Sequence, residues 1–90
     1  MNKHDRKILE AVIALLNQAQ GLMDHAKSEL EDLQSQEQEK FDNMNEGFQA
    51  TDLGQRIEAA AQELENAVSE LDTAIEGINT CLEHIETSQE

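Results

Sequence analysis

The chain has 90 residues, a formal net charge of -14, no proline and two aromatic residues, Phe41 and Phe48. Ninety residues suffice for one small domain, and the negative charge argues against nucleic acid or an anionic membrane as a direct partner. Two rings are few for a substrate pocket or a base-stacking surface. Since no nucleophile elbow, phosphate loop or dinucleotide motif occurs either, we predict a non-enzymatic protein without catalytic residues or a cofactor.

The single cysteine, Cys81, excludes an internal disulfide and suits a reducing compartment, so we expect a cytoplasmic protein. Cys81 and His84 are three residues apart, and an antiparallel hairpin would bring His4 to the same end. A structural zinc site needs four ligands, however, and the double Cys-x-x-Cys pattern is absent. We therefore predict no metal site. The apolar runs are also too short to span a bilayer, so we expect no membrane partner.

Apolar residues at helical spacing predict a first helix over about residues 5–42, with Asp5 as its cap or in its first turn. From Ile8 to Met23 these residues cover about 180° of the helix surface. A single partner helix needs an apolar stripe of only about 100°. The excess predicts a second contact, and hence self-association, through seven residues: Ile8, Leu9, Val12, Ile13, Leu15, Leu16 and Leu22.

A turn is predicted at about residues 43–54, where asparagine and glycine recur between the two helical patterns. Either Thr51 or Asp52 is suited to cap the helix that follows, because both side chains accept hydrogen bonds from backbone N–H groups. The apolar residues around this turn are expected to close the end of a hairpin as a small plug: Phe41, Met44 and Phe48.

A second helix is predicted over about residues 55–87, where apolar residues recur at alternating four- and three-residue intervals. This heptad pattern is typical of a helix that packs lengthwise against another helix. Its members are Ile57, Ala61, Leu64, Val68, Leu71, Ile75, Ile78, Leu82 and Ile85. A parallel row of small residues consists of Ala60, Ala67, Ala74 and Cys81. Matched helix lengths and a short connection predict an all-α antiparallel hairpin that assembles into a four-helix-bundle oligomer, most simply a homodimer.

Residues 39–49 read EKFDNMNEGFQ and are followed by Gly54, Gln55 and a helix rich in Ala, Glu, Leu and Ile. This pattern resembles a family of small helical proteins from phages and mobile elements, whose members read F/Y-D-N-M-P-E-G/N-L-Q at the turn. The resemblance covers residues 30–80. Asn45 replaces the proline of that family, which makes the turn less rigid but can still start a short helical turn. The resemblance implies a phage-type accessory protein of the host cytoplasm, without a catalytic residue.

Five acidic residues of the second helix form a candidate partner-binding surface, because no lysine or arginine follows Arg56 to neutralise them: Glu58, Glu63, Glu65, Glu70 and Asp72. Three interpretations remain open. The surface is a solvated exterior, or it mimics DNA charge and binds a basic, nucleic-acid-binding protein, as an inhibitor of a host nuclease or defence system would. The third interpretation is a structural assembly or scaffolding factor that uses the apolar stripe. Of the three interpretations we favour the basic protein partner.

Overall fold

The computed structural model describes all 90 residues and contains three helices: α1 (Lys3–Asp42), α2 (Glu46–Gln49) and α3 (Asp52–Ser88). The two long helices lie side by side in a rod of 68 × 16 × 14 Å. They run antiparallel, since Arg6 Nη2 near the start of α1 donates to the Gln89 carbonyl oxygen just after α3, at 3.2 Å. The predicted all-α hairpin is therefore confirmed.

Asn2 caps α1, because its Oδ1 accepts a hydrogen bond from the Asp5 N–H at 2.8 Å. Asp5 itself lies in the first turn, where a carboxylate interacts favourably with the positive end of the helix dipole. Of the two roles predicted for Asp5, cap or first-turn residue, the structure shows the first-turn residue. At the other end of α1, the Asn43 N–H donates to the Glu39 carbonyl at 3.0 Å and ends the helix.

The connection between the long helices contains the four-residue helix α2, which the sequence pattern did not define. Asn45 caps it by accepting from the Phe48 N–H at 3.0 Å. Thr51 then caps α3, since its Oγ1 accepts from the Gly54 N–H at 3.2 Å. As a result α3 begins at Asp52, three residues before the predicted start. The Gln55 side chain in α3 donates a hydrogen bond to the Gln49 carbonyl oxygen at the end of α2, at 2.9 Å, and so joins α2 to α3.

The heptad residues of α3 face α1, as predicted. Ala61 is buried, with 1% of its surface exposed, and the other eight members of the pattern are half-buried. Two seven-residue rows of α1 meet them. The first row is Leu9, Leu16, Met23 and Leu30, and the second is Ile13, Gln20, Lys27, Gln34 and Phe41; all of these are half-buried. The helix–helix interface therefore mixes apolar and polar side chains on the α1 side.

The apolar plug predicted at the turn forms only in part. Phe41 and Met44 are half-buried, whereas 61% of the Phe48 surface is exposed. Phe48 lies in α2, whose short length leaves its ring outside the interface of the two long helices. The prediction that Phe48 belongs to the plug is wrong.

The hairpin buries little of its own surface. Only Gly54 and Ala61 are fully buried, and the chain exposes 6521 Å². A compact monomer of 10.1 kDa is expected to expose about 5,300 Å². The radius of gyration, 20.1 Å, likewise exceeds the roughly 12 Å of a compact domain of this length. An excess of about 1,200 Å² thus remains in contact with solvent.

Candidate functional site

One side of the interface between α1 and α3 is polar, and we call it the polar flank: Gln20, Lys27, Asp72 and Asn79. Lys27 Nζ lies 2.6 Å from Asp72 Oδ1, and Gln20 Nε2 donates to Asn79 Oδ1 seven residues away on each helix. The expectation that no cation neutralises the acidic row is therefore wrong at Asp72. The neutralising lysine comes from the other helix, where the sequence alone did not place it.

The ion pair has a defined pH dependence. The hydrogen bond with Asp72, and then the charge of its carboxylate, raise the pKa of Lys27 above 10.5. Since this pKa is higher in the folded than in the unfolded chain, the pair stabilises the hairpin fully below pH 10.5. The stabilisation is lost as the pH rises through the folded-state pKa of Lys27.

Exchanging the charges of this pair tests the register of the hairpin. Lys27→Glu places a carboxylate opposite Asp72, so we expect a lower melting midpoint because like charges repel. Adding Asp72→Lys restores an opposite-charge pair and should recover most of the lost stability, a coupling that a double-mutant cycle measures by thermal melts. Equal midpoints for the single and double variants would mean that the two side chains do not meet.

The opposite side of the interface is apolar, and we call it the apolar flank. On α1 it holds Ile8, Leu15, Leu22 and Leu33, of which 51%, 65%, 65% and 49% are exposed. On α3 it holds Leu53, which is 60% exposed, and the small row Ala60, Ala67, Ala74 and Cys81. Each residue of a helix is rotated by about 100° from the one before. Leu16 and Ile75 face the other helix, and Leu15 and Ala74 directly precede them. One step back along each helix of an antiparallel pair therefore turns Leu15 and Ala74 towards the same side, away from Lys27 and Asp72.

The seven residues predicted for self-association divide between two surfaces. Leu9, Val12, Ile13 and Leu16 are half-buried and face α3 within the hairpin. Ile8, Leu15 and Leu22 are exposed on the apolar flank. Ile13 shares its seven-residue row with Gln20 and Lys27, which also face α3. The structure thus leaves three of the seven free for a second contact.

The five acidic residues of the candidate partner-binding surface also divide. Glu58, Glu65 and Asp72 follow one row of α3, on the side of the polar flank. Glu63 and Glu70 are displaced from Glu65 and Asp72 by two residues, about 200° around the helix, and therefore lie on the opposite side. Four of the five are exposed, and Asp72 is half-buried in its ion pair with Lys27. The structure does not bring the five together into one patch.

Other candidate chemistry is sparse. No group of three or more His, Cys, Asp or Glu side chains is arranged to hold a metal ion. Cys81 is an exposed free thiol on the apolar flank. Two open surface grooves occur near the turn, one lined only by polar residues of α1 and the other by Gln38, Gln55, Glu58, Ala59 and Gln62. Neither groove brings a nucleophile together with a histidine.

None of the helices is both long enough and apolar enough to cross a membrane. Comparison of this chain with protein-family models, with curated proteins and with solved structures gives no match.

Proposed function

We propose that this protein is a non-enzymatic helical hairpin that self-associates into a four-helix bundle and acts as a structural, protein-binding assembly factor. The apolar flank carries the proposal. Five large apolar side chains, at least 49% exposed, lie along one side of the rod: Ile8, Leu15, Leu22, Leu33 and Leu53. Isolated apolar residues are normal on a surface, but several large apolar side chains along one side of a rod favour a protein–protein contact there.

The exposed area supports the same proposal. The hairpin exposes 6521 Å², about 1,200 Å² more than a compact monomer of its mass. A standard interface removes roughly 800 Å² from each partner. One interface on the apolar flank would therefore bring most of the excess area out of water, and at about 25 cal/mol per Å² of apolar surface this is a substantial driving force.

Two charges on the apolar flank are expected to prevent the association. The double variant Leu15→Glu/Leu22→Glu should sediment with the mass of one chain, whereas the unchanged protein should sediment at about twice 10.1 kDa. The matched control is Gln18→Glu/His25→Glu, which adds two carboxylates to the exposed outer side of α1 and should leave the dimer intact. A monomeric unchanged protein, or equal dissociation in both variants, would exclude the apolar flank as the contact.

A basic protein partner for the acidic residues of α3 is a second candidate function. It is favoured by four exposed carboxylates that have no ion-pair partner: Glu58, Glu63, Glu65 and Glu70. A charge of -14 along a 68 Å rod is about one charge per 5 Å, and a dimer would double it towards the one per roughly 1.7 Å of duplex DNA. Under this second candidate function, the protein inhibits a nuclease or defence system by binding it, as a phage-type accessory protein would.

The division of the acidic residues provides a matched test of this second candidate. Glu58→Gln/Glu65→Gln removes two charges beside the polar flank, and Glu63→Gln/Glu70→Gln removes two from the other side of the same helix. A protein that binds the unchanged chain is first captured from lysate at low salt. The rate at which it associates with each variant is then measured. A specific site predicts that one pair slows association much more than the other. Equal weakening indicates general charge attraction, and no weakening leaves the carboxylates as a solvated exterior.

A further inference from the structure

We infer that the occupant of the apolar flank is a second copy of this chain, with α1 of each copy packed on α3 of the other and both turns at the same end. This inference rests on the proposed self-association and specifies its geometry. The alternative two-fold arrangement would pack α1 on α1 and α3 on α3. Size, charge and register along the flank distinguish the two arrangements.

Side-chain size favours the packing of α1 on α3. The α1 side of the flank presents large residues at seven-residue intervals, Ile8, Leu15 and Leu22. The α3 side presents small residues at the same interval, Ala67, Ala74 and Cys81. A two-fold axis parallel to the helices brings the large row of each copy onto the small row of the other, so that both halves of the interface are complementary. In the alternative arrangement the two α1 helices would run antiparallel, so Ile8 and Leu15 would face the C-terminal half of the other α1, where the same row continues as Glu29 and Gln36. The small residues of α3 would face small residues.

Charge favours the same arrangement. Residues 3–22 of α1 contain Lys3, Arg6 and Lys7 against two acidic residues, Asp5 and Glu10, a net charge of +1. Residues 74–88 of α3 contain three glutamates and no lysine or arginine, a net charge of -3: Glu76, Glu83 and Glu86. Packing α1 on α3 places these opposite charges side by side. In the alternative arrangement the two α3 helices run antiparallel, so residues 74–88 of one copy face residues 52–66 of the other. Residues 52–66 contain four acidic residues and Arg56, a net charge of -3, so two acidic segments would lie side by side, which is unfavourable.

The register of the hairpin then determines which residues meet. Equal steps along both helices from the Lys27–Asp72 and Gln20–Asn79 contacts place Leu15 level with residue 84 and Leu22 level with residue 77. Equal steps from the Arg6–Gln89 contact place them level with residues 80 and 73. Cys81 and Ala74 lie within these ranges and are the members of the small row nearest in height to Leu15 and Leu22. A two-fold axis parallel to the helices permits no shift along the rod, because a shift would generate an open filament instead of a closed dimer. Since Cys81 lies between these two limits, Leu15 of one copy is expected to lie close to Cys81 of the other.

Disulfide formation tests this contact with the thiol that the chain already carries. The Leu15→Cys variant, oxidised mildly at a concentration where it sediments as a dimer, should form a covalent dimer. Trypsin should then release residues 8–27 linked to residues 57–90, since Lys7, Lys27 and Arg56 flank these peptides. The matched control, Gln18→Cys on the exposed outer side of α1, should give no covalent dimer, and neither should the unchanged protein with Cys81 alone.

Each outcome has a separate meaning for the two proposals. A covalent dimer with the linkage between positions 15 and 81 supports the packing of α1 on α3. A linkage between two copies of position 15, or a dimer by sedimentation that yields no covalent product, overturns this geometry and leaves self-association standing. A variant and an unchanged protein that both sediment as monomers overturn self-association itself.

Discussion

Replacing Gly54 with alanine is expected to destabilise the hairpin by about 3 kcal/mol, at the upper end of the cost of overpacking a closed site. A Cβ atom on Gly54 would lie 2.5 Å from the Phe48 carbonyl oxygen and 2.7 Å from the Gln49 carbonyl oxygen. Both oxygens belong to the backbone of the turn, so no side-chain rotation relieves the overlap. The first turn of α3 or the end of α2 must move, and a thermal or denaturant melt measures the cost.

Gly21→Ala is the matched control for this prediction. A Cβ atom on Gly21 meets nothing within 4 Å, so the alanine should stabilise α1 by about 1 kcal/mol through its higher helix propensity. The two glycine substitutions are thus expected to change the melting midpoint in opposite directions. A Gly54→Ala variant as stable as the unchanged protein would show that α2 does not pack against the start of α3.

Replacing Phe41 with alanine is expected to cost about 2 kcal/mol, less than the 3–5 kcal/mol of a fully buried ring because Phe41 is only half-buried. The ring lies in the seven-residue row that runs through Lys27 and Gln34 towards the turn. For a domain of this size the loss corresponds to a melting midpoint lower by roughly 10 °C. Circular dichroism followed through a thermal melt gives the value directly.

Phe48→Ala provides the contrast, since it removes the same ring from a position that is 61% exposed. A surface substitution of this kind is expected to change the free energy of unfolding by less than about 0.5 kcal/mol. Comparable losses in the two variants would mean that Phe48 packs against the turn in solution after all, as the sequence pattern had suggested.

The pairing of the two long helices could be predicted because the heptad residues from Ile57 to Ile85 are apolar without exception. Both the heptad spacing and the apolar residue types of this segment indicate a helix that packs lengthwise against another helix. The polar flank could not be predicted in the same way. Lys27 lies between Gln20 and Gln34 in a row that begins with Ile13 and ends with Phe41, and only the opposite helix shows that the Lys27 side chain reaches Asp72. The wide apolar arc on α1 was visible, but not which of its members face α3.

The turn was predictable in position and not in form. Asn45 and Thr51 are residues that begin helices, and both do so here. What the pattern could not reveal is that the carbonyls of α2 approach the backbone at Gly54, because that contact depends on the path of the chain between two caps. The acidic residues show the same limit, since proximity in sequence placed Glu63 beside Glu65 although the helix turns them to opposite sides.

The dependence of the melting midpoint on protein concentration tests most directly whether this hairpin is stable as an assembly. If folding is coupled to dimer formation, the midpoint must rise with concentration by mass action. With an unfolding enthalpy of about 0.7 kcal/mol per residue for both chains, the rise is about 4 °C for each tenfold increase in concentration. A midpoint that stays constant over a hundredfold range would show that the hairpin folds alone, and would contradict the assignment of the apolar flank to a second copy.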